Sequence, residues 1–248
     1  MLKVEIEIYL REIGFKKVEN EIDRASAVAN GVTTVLKRFL SIANALTELR
    51  SGCNWFLPGS SKKDAMQKKV ISNAHITDEA NSLMSNKFMN DYPLVVEKIW
   101  NEPGDSILCR NYMQSNVNYF SYGIVCKIDN KDLAIDFVSK CLSGLISELS
   151  PRIISVETNN YSINEKKVFP DRLPVGWMFY IDKVINGELA GLNGEMHNIT
   201  KEGKSIGTLF LSKRGFFDGN NENDIKQAND LEVLLVSHNI LPTYKDIF

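Results

Sequence analysis

Histidine and cysteine are scarce, and neither is spaced for chemistry. Three histidines, His75, His197 and His238, lie far apart with no partner at ligand spacing, so the sequence offers no metal site. The four cysteines, Cys53, Cys109, Cys126 and Cys141, include no CxxC pair and read as reduced core residues, not as a disulfide framework. A nucleophile elbow, a phosphate-cradling glycine loop and a dinucleotide fingerprint are all missing, so no cofactor is expected. Neither sign of charge is in excess. The 29 basic and 31 acidic residues leave a net charge of −2, too little positive charge to grip phosphates, which argues against direct nucleic-acid binding. No apolar run reaches the length of a membrane span. The first residues, Met-Leu-Lys-Val-Glu-Ile-Glu, put charge where a signal peptide needs apolar chain, so a cytoplasmic protein with no membrane partner is expected.

What is present is an ordinary globular composition, 44% hydrophobic and 24% charged over 248 residues, enough for one large or two small domains. The stretch Pro174 to Asp182 organises the C-terminal half. Val175, Trp177, Phe179 and Ile181 alternate with Gly176, Met178, Tyr180 and Asp182, the pattern of a central strand covered on both faces. Pro174 fixes its entry, and Gly176, directly before a tryptophan, suggests a bulge or a close backbone approach.

Residues 3 to 10 alternate Val4, Ile6, Ile8 and Leu10 against Lys3, Glu5, Glu7 and Tyr9, a strand with one wet face. From about Asp23 to Leu49 the apolar period lengthens to that of an amphipathic helix, ended by Ser51 and Gly52. Helices are then predicted over 62 to 72, capped by Ser61, from Thr77 to about Ser85, and over 91 to 99. Glu102-Pro103-Gly104-Asp105 is the strongest break, giving a strand-plus-helical part over 1–104 and an α+β part over 105–248, or one continuous domain. Strands are expected over Ser106 to Tyr112, Val117 to Ile128, Ile153 to Thr158 and Gly207 to Ser212, and from Asp182 to Gly203 a loop with short strand pieces around Leu189 to Leu192. A second long helix follows Asn130, and a last one runs from Glu222 to Ser237 with Asn221 as its cap. The fold class is therefore α+β, a mainly antiparallel sheet packed against two long amphipathic helices, with a helical N-terminal part.

No constellation for catalysis emerges, and the chain is not expected to be an enzyme. His238 falls in a helix's last turn, where the helix dipole accounts for it. Residues 215 to 224 are unusual in holding Asp218, Glu222 and Asp224 with no basic residue, beside exposed-looking Phe216 or Phe217 and several asparagines. The helix dipole favours acids there. Such a turn also suits a basic protein partner, and the candidate contacts are Asp218, Asn220, Glu222 and Asp224, with Glu5 and Glu7 as a second patch.

The order Trp55-Phe56, Ile99-Trp100-Asn101, Val175-Gly176-Trp177-Met178 with Tyr180, Gly207-Thr208-Leu209, Phe217-Asp218, Ala228 and Leu241-Pro242 resembles the immunity protein 52 family. The resemblance spans most of the chain and is dense from residue 174 onward. Residues 22 to 40 depart from that family's first helix, keeping only Arg38-Phe39-Leu40. The likeness implies a cytoplasmic antidote encoded beside a polymorphic toxin, often one delivered by type VI secretion in bacterial competition. Its partner would be a cognate toxin, usually a nuclease of the restriction-endonuclease type, which it neutralises without chemistry of its own. On this reading Trp55, Trp100, Gly176, Trp177, Tyr180 and Gly207 are structural. The alternatives are a non-catalytic adaptor and a small-molecule enzyme or binding protein on an α+β scaffold.

Overall fold

A computed structural model describes residues 1–12, 15, 21–111 and 117–247, without the side chains of 21, 22 and 48. In chain order the elements are β1 (Leu2–Arg11), α1 (Glu21–Ala45), α2 (Thr47–Arg50), β2 (Trp55–Phe56), α3 (Lys62–Met66), β3 (Lys69–Ser72) and β4 (His75–Ile76). There follow α4 (Ala80–Asp91), β5 (Val96–Asn101), β6 (Ser106–Asn111), β7 (Tyr119–Ile128), α5 (Lys131–Leu149), β8 (Ile153–Thr158) and β9 (Met178–Ile181). The last are β10 (Glu195–Lys201), β11 (Lys204–Leu211), α6 (Glu222–Ser237) and α7 (Tyr244–Ile247). This is an α+β protein whose strand ladders are antiparallel. The chain divides into two compact units. One holds Met1–Tyr9, Val125–Val138 and Pro151–Phe248, and the other Leu10–Ile124 and Ser139–Ser150.

In the first unit the strand order runs β10-β11-β9-β8-β1. The pairing of β1 with β8 sets Val4 opposite Thr158, Glu5 opposite Glu157 and Tyr9 opposite Ile153. Because side chains alternate along a strand, Tyr9, Glu7 and Glu5 share one face. At the Tyr9 end that face is dry: Tyr9, Ile153, Phe179 and Phe210 pack with Leu231 and Leu235 of α6 and with Leu173, Val175, Ile240, Leu241 and Ile247. The expected wet face of β1 is thus half covered, with Tyr9 only 5% exposed. The central strand is also shorter than its alternation suggests. Only Met178–Ile181 is strand, because Gly176 takes φ +57 and turns the chain before it.

In the second unit the order runs β7-β6-β5-β2-β3-β4. Along α1, Val28, Val32, Val35, Leu36, Phe39 and Ile42 are buried, and Phe39 meets Tyr122 of β7 edge-on at 6.3 Å. Two of the helices expected in the N-terminal part are corrected here. After α3, which Ser61 does cap by accepting from the Asp64 N–H, the chain makes β3 where a helix to 72 was expected. The expected helix over 91–99 is β5, whose inward positions include Glu97, 2% exposed and held by Lys87 Nζ at 2.9 Å. An acid at a buried strand position hides the period of two. Gly104 lies in the turn of the β5–β6 hairpin, in which Asn101 Oδ1 accepts from the N–H groups of Gly104 and Asp105. Residues 189–192 hold no strand, and the nearby hairpin strand is β10. The expected strand end at Tyr112 lies outside the described residues.

Candidate functional site

Sequence placed two acidic patches apart, Glu5 with Glu7 and Asp218 to Asp224. The structure joins them through the turn after β8. Glu5 accepts from Lys3 Nζ at 2.6 Å and from the Asn160 N–H at 3.0 Å. Asn159 Nδ2 donates to Asp218 Oδ1 at 2.8 Å, and its own N–H donates to the Lys3 carbonyl. Asn159 and Asn160 both take positive φ, a conformation that asparagine tolerates better than most residues. Two consecutive asparagines thus clamp the start of β1 to the 215–224 turn. Glu7, opposite Ser155, is half-buried on the same face as Glu5.

The residue that sequence reading missed is Glu157. It faces Glu5 across the ladder, is 7% exposed, and accepts from the Ser162 hydroxyl at 2.7 Å and N–H at 3.2 Å. Burial first, then the Glu5 charge, pushes its carboxyl up to about 7, against the pull of Ser162 and Lys3. The one available signal was its in-strand place next to the Asn-Asn turn. A second missed acid is Glu232 of α6, 1% exposed. It accepts from the N–H groups of Val168 and Val175 and from the Tyr161 hydroxyl, pinning the long 159–175 segment. Burial holds its carboxyl above the ordinary glutamate range.

The 215–224 turn differs from its sequence reading in three ways. Phe216 and Phe217 are buried, not exposed. Phe216 meets Trp177 at 5.6 Å, and Phe217 meets Tyr161 at 5.7 Å. Asp224 is 4% exposed and spent internally, accepting from Lys213 Nζ and from the Asp218 N–H. Lysines distant in sequence offset the acids: Lys166 Nζ reaches the Gly219 carbonyl and Asn220, and Lys131 sits over the Phe216 ring at 5.4 Å. Asp218 is half-buried, and its hydrogen bonds and the charges of Lys131 and Lys166 outweigh burial and hold its carboxyl below the ordinary aspartate value. That leaves Asn220 and Glu222 exposed on a hydrogen-bonded turn, and Ile163 is 66% exposed in the 159–175 segment.

The turn is held from beneath by the helix it opens. Asn221 Oδ1 accepts from the N–H groups of Asn223 and Asp224. Replacing Asn221 by alanine is expected to cost about 1 kcal/mol in a urea titration, the ordinary worth of an N-cap.

The residues read as structural sit as follows. Trp55 is buried, pairing with Ile71 and Asn101, while Trp100 is half-buried against Phe56 at 5.5 Å. Trp177 is 1% exposed. A Cβ on Gly176 would stand 2.7 Å from the Val156 carbonyl oxygen. Gly207 leaves room for the Tyr180 ring, whose hydroxyl donates to the Ile206 carbonyl. Among the described residues no group of three or more His, Cys, Asp or Glu is placed to hold a metal, and no helix is long and apolar enough to cross a membrane.

No protein-family model and no curated protein matches the chain. Among solved structures, the T6SS protein PA0821 of Pseudomonas aeruginosa is similar over 95% of this chain and 76% of its own, with a TM-score of 0.48 at 7% identity. The Trypanosoma brucei AdoMetDC-delta26 monomer is similar over 84% of this chain and 62% of its own, with a TM-score of 0.20 at 11% identity. At these scores neither likeness bears on function.

Proposed function

We propose that this chain is a non-catalytic binding protein of the immunity type, which neutralises a cognate antibacterial toxin by covering part of its surface. The motif order from Trp55 to Leu241-Pro242 supports that reading, and with it a nuclease of the restriction-endonuclease type as the target. The observation that carries it is the preorganised 215–224 turn. Asp218 and Asp224 are consumed in fixing its backbone, while Asn220 and Glu222 project outward. A surface ordered before binding loses little conformational entropy on association, which is what a tight inhibitor needs. Acidic side chains on it steer a basic, DNA-holding surface toward the complex.

The contact set is accordingly narrower than the sequence suggested. Asn220 and Glu222 are the contacts, Asp218 supports them, and Asp224, Glu5 and Glu7 act from below. Co-expression with the toxin domain of the neighbouring reading frame tests the function directly: growth is rescued by this chain and not by an unrelated α+β protein. For the surface, the double variant Asn220→Lys with Glu222→Lys is expected to slow association by about tenfold at low salt, an effect that shrinks as salt screens it. Rescue with an unchanged association rate would move the interface elsewhere; failure of rescue would remove the immunity reading itself.

A further inference from the structure

A second polar site lies in the other unit, where the sequence reading named no contact. An open cleft of about 370 Å³ is lined by Arg11 and Glu12 at the end of β1 and by Thr34, Lys37, Arg38 and Ser41 of α1. The four α1 residues fall at three- and four-residue steps, so they form one stripe on the helix. Three cations face one carboxylate there.

That carboxylate is already committed. Glu12 is 2% exposed and takes both Arg38 Nε at 2.8 Å and Nη2 at 3.1 Å, a two-point grip on the guanidinium edge. From the core side the fully buried Tyr122 donates its hydroxyl to Glu12 at 3.0 Å. Burial pushes the Tyr122 phenol well above its ordinary value, so it stays protonated and keeps donating. Burial works against the Arg38 charge, but the hydrogen bond and charge of Glu12 outweigh it and raise the arginine pKa. A buried tyrosine and glutamate tied to a part-exposed arginine is an expensive use of core space, since apolar residues of similar volume are as stable or more so. Its product is orientation: Glu12 fixes one edge of the guanidinium, while the Arg38 side chain, 27% exposed, lines the cleft. Beside them stand Arg11 and Lys37, both exposed and without a salt-bridge partner among the described residues.

We propose that this cleft is an oxyanion-binding site, in which the pre-oriented Arg38 guanidinium receives a carboxylate or phosphate group and Arg11 and Lys37 neutralise it. Arginine held by a buried partner loses less freedom per hydrogen bond formed than a free side chain, and its planar fork matches either anion. The Ser41 hydroxyl supplies a further donor at the wall, whereas Thr34 already donates to the Asn30 carbonyl. The site stands independently of the toxin-binding reading, because it lies in a different unit and uses none of the same residues.

The test is calorimetric titration of the intact protein with inorganic phosphate and, separately, with succinate, at constant ionic strength set by chloride. Saturable binding of at least one at about millimolar concentration is expected, and the preferred anion tells a phosphate-bearing ligand from a carboxylate-bearing one. The Arg38 Nε–H resonance should move along the same curve. Arg11→Gln with Lys37→Gln, both at exposed positions, is expected to weaken binding by about tenfold or more, and Tyr122→Phe by a smaller factor with an altered Arg38 resonance in the free protein. No binding of either anion, binding that leaves the Arg38 resonance in place, or binding that survives the double variant would each overturn the proposal.

Discussion

Substituting alanine at Gly176 is expected to destabilise the protein by about 3 kcal/mol or more, the combined effect of two separate strains. The residue sits at φ +57, where an L side chain costs about 1–2 kcal/mol. Its new Cβ would also stand 2.7 Å from the Val156 carbonyl oxygen and 3.0 Å from the Glu157 Cβ. Neither neighbour is free to retreat. The Val156 carbonyl accepts the Trp177 N–H at 2.7 Å, and Glu157 is clamped by Ser162. Relief of the clash must displace β8 or the segment entering β9, and an overpacked core site of this kind costs about a further 1–3 kcal/mol. Gly215 is the internal control. Its φ is +77 but nothing lies within 4 Å of a Cβ built on it, so Gly215→Ala should register the backbone contribution alone, about 1 kcal/mol. Urea titrations of the two variants check the difference. Equal losses would mean that close approach to Val156 contributes nothing and that the glycine is there for its dihedral angle only.

That glycine illustrates what was legible in the sequence. An interruption before a large aromatic inside an apolar alternation is visible, and it announces a close approach without saying of what. The Val156 carbonyl is twenty residues away and becomes a neighbour only once β8 and β9 lie side by side. The long amphipathic elements α1, α5 and α6 were readable because their burial is one-sided and periodic, and the caps at Ser61 and Asn221 because side-chain oxygens near helix starts act locally. Strand β5 was not, since Glu97 occupies an inward position by virtue of Lys87, ten residues earlier on α4. The acidic surface was half legible. Composition located Asp218 and Glu222 but had no means to know that Asp224 points inward to Lys213, or that Lys131 and Lys166 come back to dilute the charge. Glu157 and Glu12 escaped for the same reason. An acid within an alternating strand, as Glu157, or just past one, as Glu12, is read as solvated, and its burial is a consequence of tertiary partners such as Ser162, Arg38 and Tyr122.

Neutralising Glu157 should make the protein more stable at alkaline pH, an effect that vanishes in acid. Its carboxyl titrates near 7 in the folded chain against an ordinary 4.5, so folding favours the protonated form. Below about pH 4.5 folded and unfolded chains both carry the proton and nothing is lost. Between there and 7 the unfolded chain ionises while the folded one resists, and the favourable contribution drains away. Above 7 the loss is complete, amounting to about 3 kcal/mol at about 1.36 kcal/mol per unit. Glu157→Gln keeps the shape and the acceptor for the Ser162 hydroxyl but cannot ionise. Its advantage over the parent in urea titrations should therefore grow from near zero at pH 4 to about 3 kcal/mol at pH 8. The groups around the carboxyl decide how the effect divides. Glu5 opposes its ionisation and Lys3 and Ser162 favour it, but burial is the largest influence, and Tyr161 senses the same charge. Glu5→Gln should consequently leave most of the pH dependence in place. An advantage of Glu157→Gln that is the same at pH 4 and pH 8 would show that the gain comes from packing and not from a proton.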